Sequence, residues 1–218
     1  MQGRETELII FDLDGTLIDS SDDIAWAANK TLLHMGHQKM GPEAVKEGIG
    51  WGVKTLLERL MPDEGAERIS EARERFLEYY WDHLNVKTFL YPGVLETLRH
   101  FKRLNKKMAV VTNKPIKFTE RLLEELALKG FFIMALGGDS LPNRKPHPEP
   151  IEKVIATLGI LRERTVFVGD SPIDCETGKR AGIATIGVVY GFRGIEELEQ
   201  AGFDLLIKDL SELKEILR

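Results

Sequence analysis

The apolar run Leu8-Ile-Ile-Phe11 stops dead in Asp12-Leu-Asp14-Gly15-Thr16, and this junction limits the possible folds more than any other stretch. Four consecutive apolar residues read as a strand buried on both faces, the kind found inside a parallel sheet. Two carboxylates one residue apart at its end repel each other unless a cation or a proton sits between them. The pair therefore points to a metal site, a nucleophile, or both. Gly15 lets the backbone turn close to whatever those carboxylates hold.

Beyond Ser20 and Ser21, both possible helix caps, the apolar period becomes helical. Ile24, Ala27, Ala28, Thr31, Leu32 and Met35 recur at that spacing, then Val53, Leu56, Leu57 and Leu60, then Ile69, Ala72, Phe76, Tyr80, Trp81 and Leu84. No strand is expected between Ser20 and Thr88. After Tyr91-Pro92-Gly93, helices are expected over 94–104, 115–128, 150–158 and 173–181, alternating with strands over 108–112, 132–136, 165–168 and 184–188. Such alternation implies an α/β fold, a Rossmann-like parallel sheet core covered on both faces. The helical stretch then reads as a cap domain over 20–88, inserted into a core formed by 1–19 and 89–218.

Ligands bind such sheets at the carboxyl ends of the strands. Polar residues stand at those ends: Asp12 and Asp14, Thr112 and Asn113, and Asp170. In Asn113-Lys-Pro115 and Asp170-Ser-Pro172 a proline follows where it suits a first helical turn. Both helix N-termini would then aim amides at a bound anion. Lys145, in Asn-Arg-Lys145-Pro-His-Pro, adds a positive charge on a loop stiffened by prolines.

Composition removes several alternatives. The 218 residues are 43% hydrophobic, enough for a sizeable core. A net charge of −5 without a basic run argues against nucleic acid as a partner. No stretch approaches the ~20 apolar residues of a membrane span, and the polar start Met1–Thr6 lacks the apolar core of a secretory signal, so a cytoplasmic protein is expected. One cysteine, Cys175, excludes an internal disulfide and reads as a small packed residue. Asp12-x-Asp14-Gly15 is no calcium loop, because Leu17 stands where that loop needs its glycine. Gly48-x-Gly50-x-Gly52 follows no strand and has Val53 in place of the third glycine of a dinucleotide loop. The five histidines fit no metal spacing. Trp26, Trp81 and the phenylalanines read as core, and Asp19, Asp22 and Asp23 as cap or hinge residues.

The set Asp12-Leu-Asp14-Gly-Thr, Thr112-Asn113, Lys145-Pro and Gly169-Asp170-x-x-x-Asp174 resembles the four ordered motifs of the haloacid dehalogenase superfamily phosphotransferases, across essentially the whole chain. The phosphoglycolate phosphatase branch is the most similar, through Val-Val-Thr112-Asn113-Lys114-Pro115, Gly137-Gly138-Asp139 before Lys145, and Gly48-Ile-Gly50-Trp51-Gly52 ahead of a Leu-Leu helix. The resemblance implies that Asp12 attacks phosphorus and that Asp14 serves as acid and then base. It implies Mg²⁺ bound by Asp12, Asp170 and the backbone carbonyl of Asp14, with Asp174 supporting from outside. Lys145, Thr112 and Asn113 would balance charge on the phosphoryl oxygens. The implied partner is a small phosphorylated metabolite, 2-phosphoglycolate first, handled by a monomer or homodimer. Gly50, Trp51 and Lys54 of the cap are then candidates for substrate selection, Lys54 as partner of the substrate carboxylate.

Rivals are separated by the same residues. Haloacid dehalogenases and phosphonatases lack the second aspartate of the first motif, so Asp14 favours phosphate esters or anhydrides. The β-phosphoglucomutases usually carry Gly-Val where Gly15-Thr16 stands. Pyrophosphatase and broad sugar or nucleotide phosphatase activities remain open. A receiver-type phospho-aspartate switch shares the aspartate, Mg²⁺, Thr and Lys, but needs neither a cap nor an acid/base at Asp14.

Overall fold

Strand β1 (Leu8–Phe11) buries every side chain, because its alternate residues feed two different cores. Ile9 and Phe11 belong to the larger apolar cluster, Leu8 and Ile10 to the smaller one on the opposite face. That is the physical content of an unbroken apolar run: both faces need cover. The computed structural model describes residues 5–217. Residues 1–4, the beginning of the polar N-terminal stretch, and residue 218 lie outside them.

After a tight turn over 12–17 the chain forms β2 (Ile18–Asp19) and then four helices, α1 (Ser21–His34), α2 (Pro42–Lys46), α3 (Val53–Leu60) and α4 (Ala66–Asp82). It re-enters through β3 (Phe89–Leu90), which pairs antiparallel with β2. This ribbon through which the helical insert leaves and returns is too short for any period to announce it. The alternating part follows as α5 (Val94–Arg103), β4 (Lys107–Val111), α6 (Ile116–Glu125), β5 (Met134–Leu136), α7 (Glu149–Leu158), β6 (Thr165–Gly169), α8 (Pro172–Ala181) and β7 (Ala184–Val188). Three further elements, α9 (Ile195–Ala201), β8 (Leu205–Ile207) and α10 (Leu213–Ile216), lie past the last expected strand. The helix expected over 115–128 is shorter at both ends, and Pro115 is its extended N-cap residue, outside the first turn. Pro172 does occupy the first turn of α8.

Six parallel strands are ordered β5-β4-β1-β6-β7-β8, so the chain builds outward on both sides of β1. Phe11 sits opposite Val110 on one side and Val168 on the other. This register brings the residues just past β1, β4 and β6 to one edge of the sheet: Asp12, Thr112 and Asp170. The N–H of Asp12 donates to the Val168 carbonyl at 2.9 Å, extending the ladder one residue beyond β1.

The helical insert shares its core with one face of the sheet. Ile24, Leu57, Phe76 and Tyr80 are continuous with Phe11, Phe101 and Phe118, and each fully buried side chain of this size contributes roughly 1.5–3 kcal/mol. Trp26 departs from its expected place in the core: it is 37% exposed and meets His83 edge-on. Phe89 is also exposed. Asp23 is fully buried and accepts from the N–H groups of Val86, Lys87 and Thr88, tying α1 to the segment that returns to the sheet. Among the described residues no helix is long and apolar enough to cross a membrane.

Candidate active site

Four carboxylates and two ammonium groups gather at the carboxyl edge of the sheet, all of them buried. Lys145 lies at the centre. Its Nζ is 2.8 Å from Oδ1 of Asp12 and 2.7 Å from Oδ1 of Asp174. Lys145 is thus shared between the two carboxylates. Asp174, in the first turn of α8, also accepts from the Ser171 N–H and hydroxyl through its other oxygen. It thus caps its own helix and anchors Lys145 at once. Asp170, just past β6, is held by the Phe192 N–H at 2.7 Å.

Asp14 faces a different way. Its Oδ1 accepts from the Ser20 hydroxyl at 2.5 Å and its Oδ2 pairs with Nζ of Lys114 at 2.9 Å. Ser20 is therefore a partner of Asp14, and it makes no side-chain cap bond to α1. Lys114 Nζ also donates to the Tyr80 hydroxyl of α4 at 2.7 Å. No sequence signal assigned a role to Lys114 or Tyr80, although Lys114 sits inside the Thr112-Asn113-Lys114-Pro115 stretch.

Burial of so many charges shifts their proton affinities. Burial pushes the Asp12 carboxyl up to about 7, against the opposing pull of Lys145. Asp170 is raised as well, by burial and then by the charges of Asp174 and Asp12. Burial opposes the charge on Lys145 and Lys114, yet Asp12 and Asp174 around the one, and Asp14 and Tyr80 around the other, hold both above the ordinary lysine value.

A divalent cation fits this arrangement. Oxygens of Asp12, Asp170 and Asp174 lie within 4.8 Å of one another, and an all-oxygen donor set suits a hard ion such as Mg²⁺. Fully ionised, four carboxylates against two ammonium groups would leave two negative charges, which a divalent cation would balance. Both oxygens of Asp174 are already engaged by hydrogen bonds, so Asp12 and Asp170 are the carboxylates with capacity to spare. The Asp14 carboxylate is engaged instead by Ser20 and Lys114.

A cavity of about 40 Å³ opens between sheet edge and helical insert. Asp12, Asp14, Thr112, Asn113 and Lys114 line it from the core, Gly50, Tyr80 and apolar side chains from above. Of the expected selecting residues, Gly50 alone is part of this lining. The Trp51 ring is covered by Arg59, 5.0 Å away, and Lys54 is exposed and paired with Glu58. Asn113 also differs from expectation. Both donors of its amide are taken by the carbonyls of Gly50 and Lys145, so it bolts insert to core and does not present N–H groups to an anion. The helix N-termini likewise have prior claims: the Ile116 N–H donates to Asp139 and the Ser171 N–H to Asp174. Arg193, buried behind Phe192, donates to the carbonyls of Lys46, Glu47 and Ile49 and clasps the insert from the other side.

The comparisons with known proteins point the same way. The sequence profile of the family described as Haloacid dehalogenase-like hydrolase matches residues 9–188. A phosphoglycolate phosphatase of Aquifex aeolicus is 40% identical over 185 residues, 85% of this chain and 85% of that protein. One from Pseudomonas putida is 35% identical over 217 residues, 97% of this chain and 79% of that protein. Among solved structures, a predicted phosphoglycolate phosphatase from Haemophilus somnus superposes with a TM-score of 0.93 at 32% identity, covering 98% of this chain and 99% of the other.

Proposed function

The chain belongs to the haloacid dehalogenase-like hydrolases, and from that premise we propose that it converts 2-phosphoglycolate to glycolate and phosphate, with Asp12 as nucleophile and Mg²⁺ as cofactor. The coarser statement stands on the relatives: this is a phosphoric monoester hydrolase of the phosphoglycolate phosphatase type. The finer one is carried by a single observation, that Asp12 and Asp14 line one cavity yet have separate sets of partners.

Each carboxylate is thereby given its own task. Asp12, ionised with the help of Lys145, attacks phosphorus in line and forms the aspartyl phosphate. Asp14, oriented by Ser20 and Lys114, protonates the departing alkoxide and then takes a proton from the attacking water. Thr112 supplies a hydroxyl on the cavity wall for a phosphoryl oxygen. Asp12, Asp170 and the Asp14 backbone carbonyl would hold the metal, with Asp174 steadying Lys145 beside them; when bound, the cation would offset carboxylate charge and stabilise the transferring phosphoryl group. The partner under this reading is a small phosphorylated metabolite in the cytoplasm, a setting that suits the buried free thiol of Cys175.

Phosphate release from a panel of phosphometabolites, measured with Mg²⁺ and again with EDTA, tests the proposal. We expect 2-phosphoglycolate to be the best substrate, EDTA to abolish turnover, and Asp12→Asn to reduce it by about 10³-fold or more. Another preferred ester overturns the substrate, and an active Asp12→Asn variant overturns the nucleophile.

A further inference from the structure

Lys114 carries a charge that the reaction scheme above leaves half used. Its ammonium has three donors, of which one faces Asp14 and one the Tyr80 hydroxyl. Tyr80 accepts that bond and so keeps its own O–H free to donate, and burial holds the phenol neutral, its pKa pushed up to about 12. Both groups line the cavity, where Lys114 is the one cationic side chain of the lining among the described residues and its neighbours Ile24, Val53, Leu56 and Phe76 are apolar. Lys145, the other buried lysine, is committed to Asp12 and Asp174.

Position supplies the rest of the argument. An acid that protonates a leaving oxygen must stand about 2.6–3.2 Å from it, and Nζ of Lys114 is 2.9 Å from Oδ2 of Asp14. A group on the carbon chain directly behind the leaving oxygen therefore falls within reach of Lys114 and Tyr80. Among the described residues that line the cavity Lys114 is the cation an anionic tail would meet, and the exposed Arg144 stands outside the lining, beside Gly52.

We propose that Lys114 and the Tyr80 hydroxyl together bind the carboxylate of the leaving group, and that Lys114 selects phosphate esters with an anionic tail. This deepens the phosphatase reading above and rests on it. Lys114 comes from the β4–α6 loop of the core and Tyr80 from α4 of the insert, so the anchor exists only where the two meet. Lys54, expected for this task from sequence, points to solvent and Glu58 instead.

The test compares 2-phosphoglycolate with 2-hydroxyethyl phosphate, which keeps the ester and loses the carboxylate. Lys114→Met is expected to lower kcat/KM for both, because Asp14 loses a partner, but to lower it about 100-fold further for 2-phosphoglycolate, mostly through KM. Tyr80→Phe should narrow the preference about tenfold, and it covers the case in which Lys114→Met does not fold, as judged by circular dichroism. Equal losses on the two esters in the folded variants overturn the anchor and leave Lys114 as a positioning residue for Asp14 alone. A native enzyme with no preference between the esters refutes the substrate reading itself, and is seen before any variant is made.

Discussion

Gly15→Ala puts the geometry of the site to a severe test. Gly15 adopts φ +83°, and a Cβ added there would lie 2.2 Å from Oδ2 and 2.5 Å from Cγ of Asp170. The left-handed backbone alone costs an alanine about 1–2 kcal/mol. The contact is far inside the ~3.5–4.0 Å at which heavy atoms rest, so the carboxylate has to move. It has nowhere to retreat, because Gly191 packs behind it so closely that a Cβ there would be 2.3 Å from Cβ of Asp170. Asp170 must therefore rotate and give up its 2.7 Å bond from the Phe192 N–H, a loss of about 1.5–3 kcal/mol for a hydrogen bond to a charged group. Together the two effects predict about 2.5–5 kcal/mol of lost stability, read by urea denaturation of EDTA-treated protein. The displaced carboxylate should also raise the Mg²⁺ concentration for half-maximal activity by about 10- to 100-fold. A Gly15→Ala protein with native stability and a native Mg²⁺ midpoint would refute the claim that Asp170 is wedged in place by glycine.

Two further perturbations follow from buried carboxylates. In metal-free protein the unfolded chain releases the Asp12 proton near 3.8 and the folded chain near 7, so folding takes up a proton between those values and stability falls as pH rises through 7. Over that span the change is at most about 4 kcal/mol, at 1.36 kcal/mol per pKa unit; urea midpoints between pH 5 and 8 should fall with pH in EDTA and fall less steeply in Asp12→Asn, where the raised Asp170 remains, and a midpoint that rises with pH contradicts the assignment. Asp23→Ala strips three backbone N–H groups of their acceptor, which should cost about 3 kcal/mol or more and lower Tm by roughly 6–12 °C for a chain of this size. A shift under one degree would mean that the returning segment does not depend on Asp23.

Much of this was readable from residue order. The unbroken Leu8–Phe11 run announced a strand covered on both sides, and the residues at the carboxyl ends of β1, β4 and β6 could be named because ligand groups in parallel sheets collect there. Helical periods marked the insert for the same reason: one face of each helix had to be apolar. Short elements were not legible. The β2–β3 ribbon has two residues on each side and β8 has three, too few for an alternation to stand out. Cap chemistry misled in the same local way. Ser20 looked like a helix cap because serine often is one, yet its hydroxyl serves Asp14. Asn113 looked like an anion donor, yet its amide is consumed by two carbonyls from distant segments.

Sequence alone determined which groups had to be reconciled: two aspartates after a buried strand, a second acidic motif after another, and a lysine on a stiff loop. Those follow from local rules, since an apolar run and the residue that ends it are neighbours in the chain. Only tertiary structure decided how the charges pair. It gave Lys145 to Asp12 and Asp174, gave Lys114 to Asp14 and Tyr80, and sent Lys54 to solvent. The reason is that a buried charge takes whichever partner the packing of separate segments brings within about 3 Å, and no spacing along the chain encodes that distance.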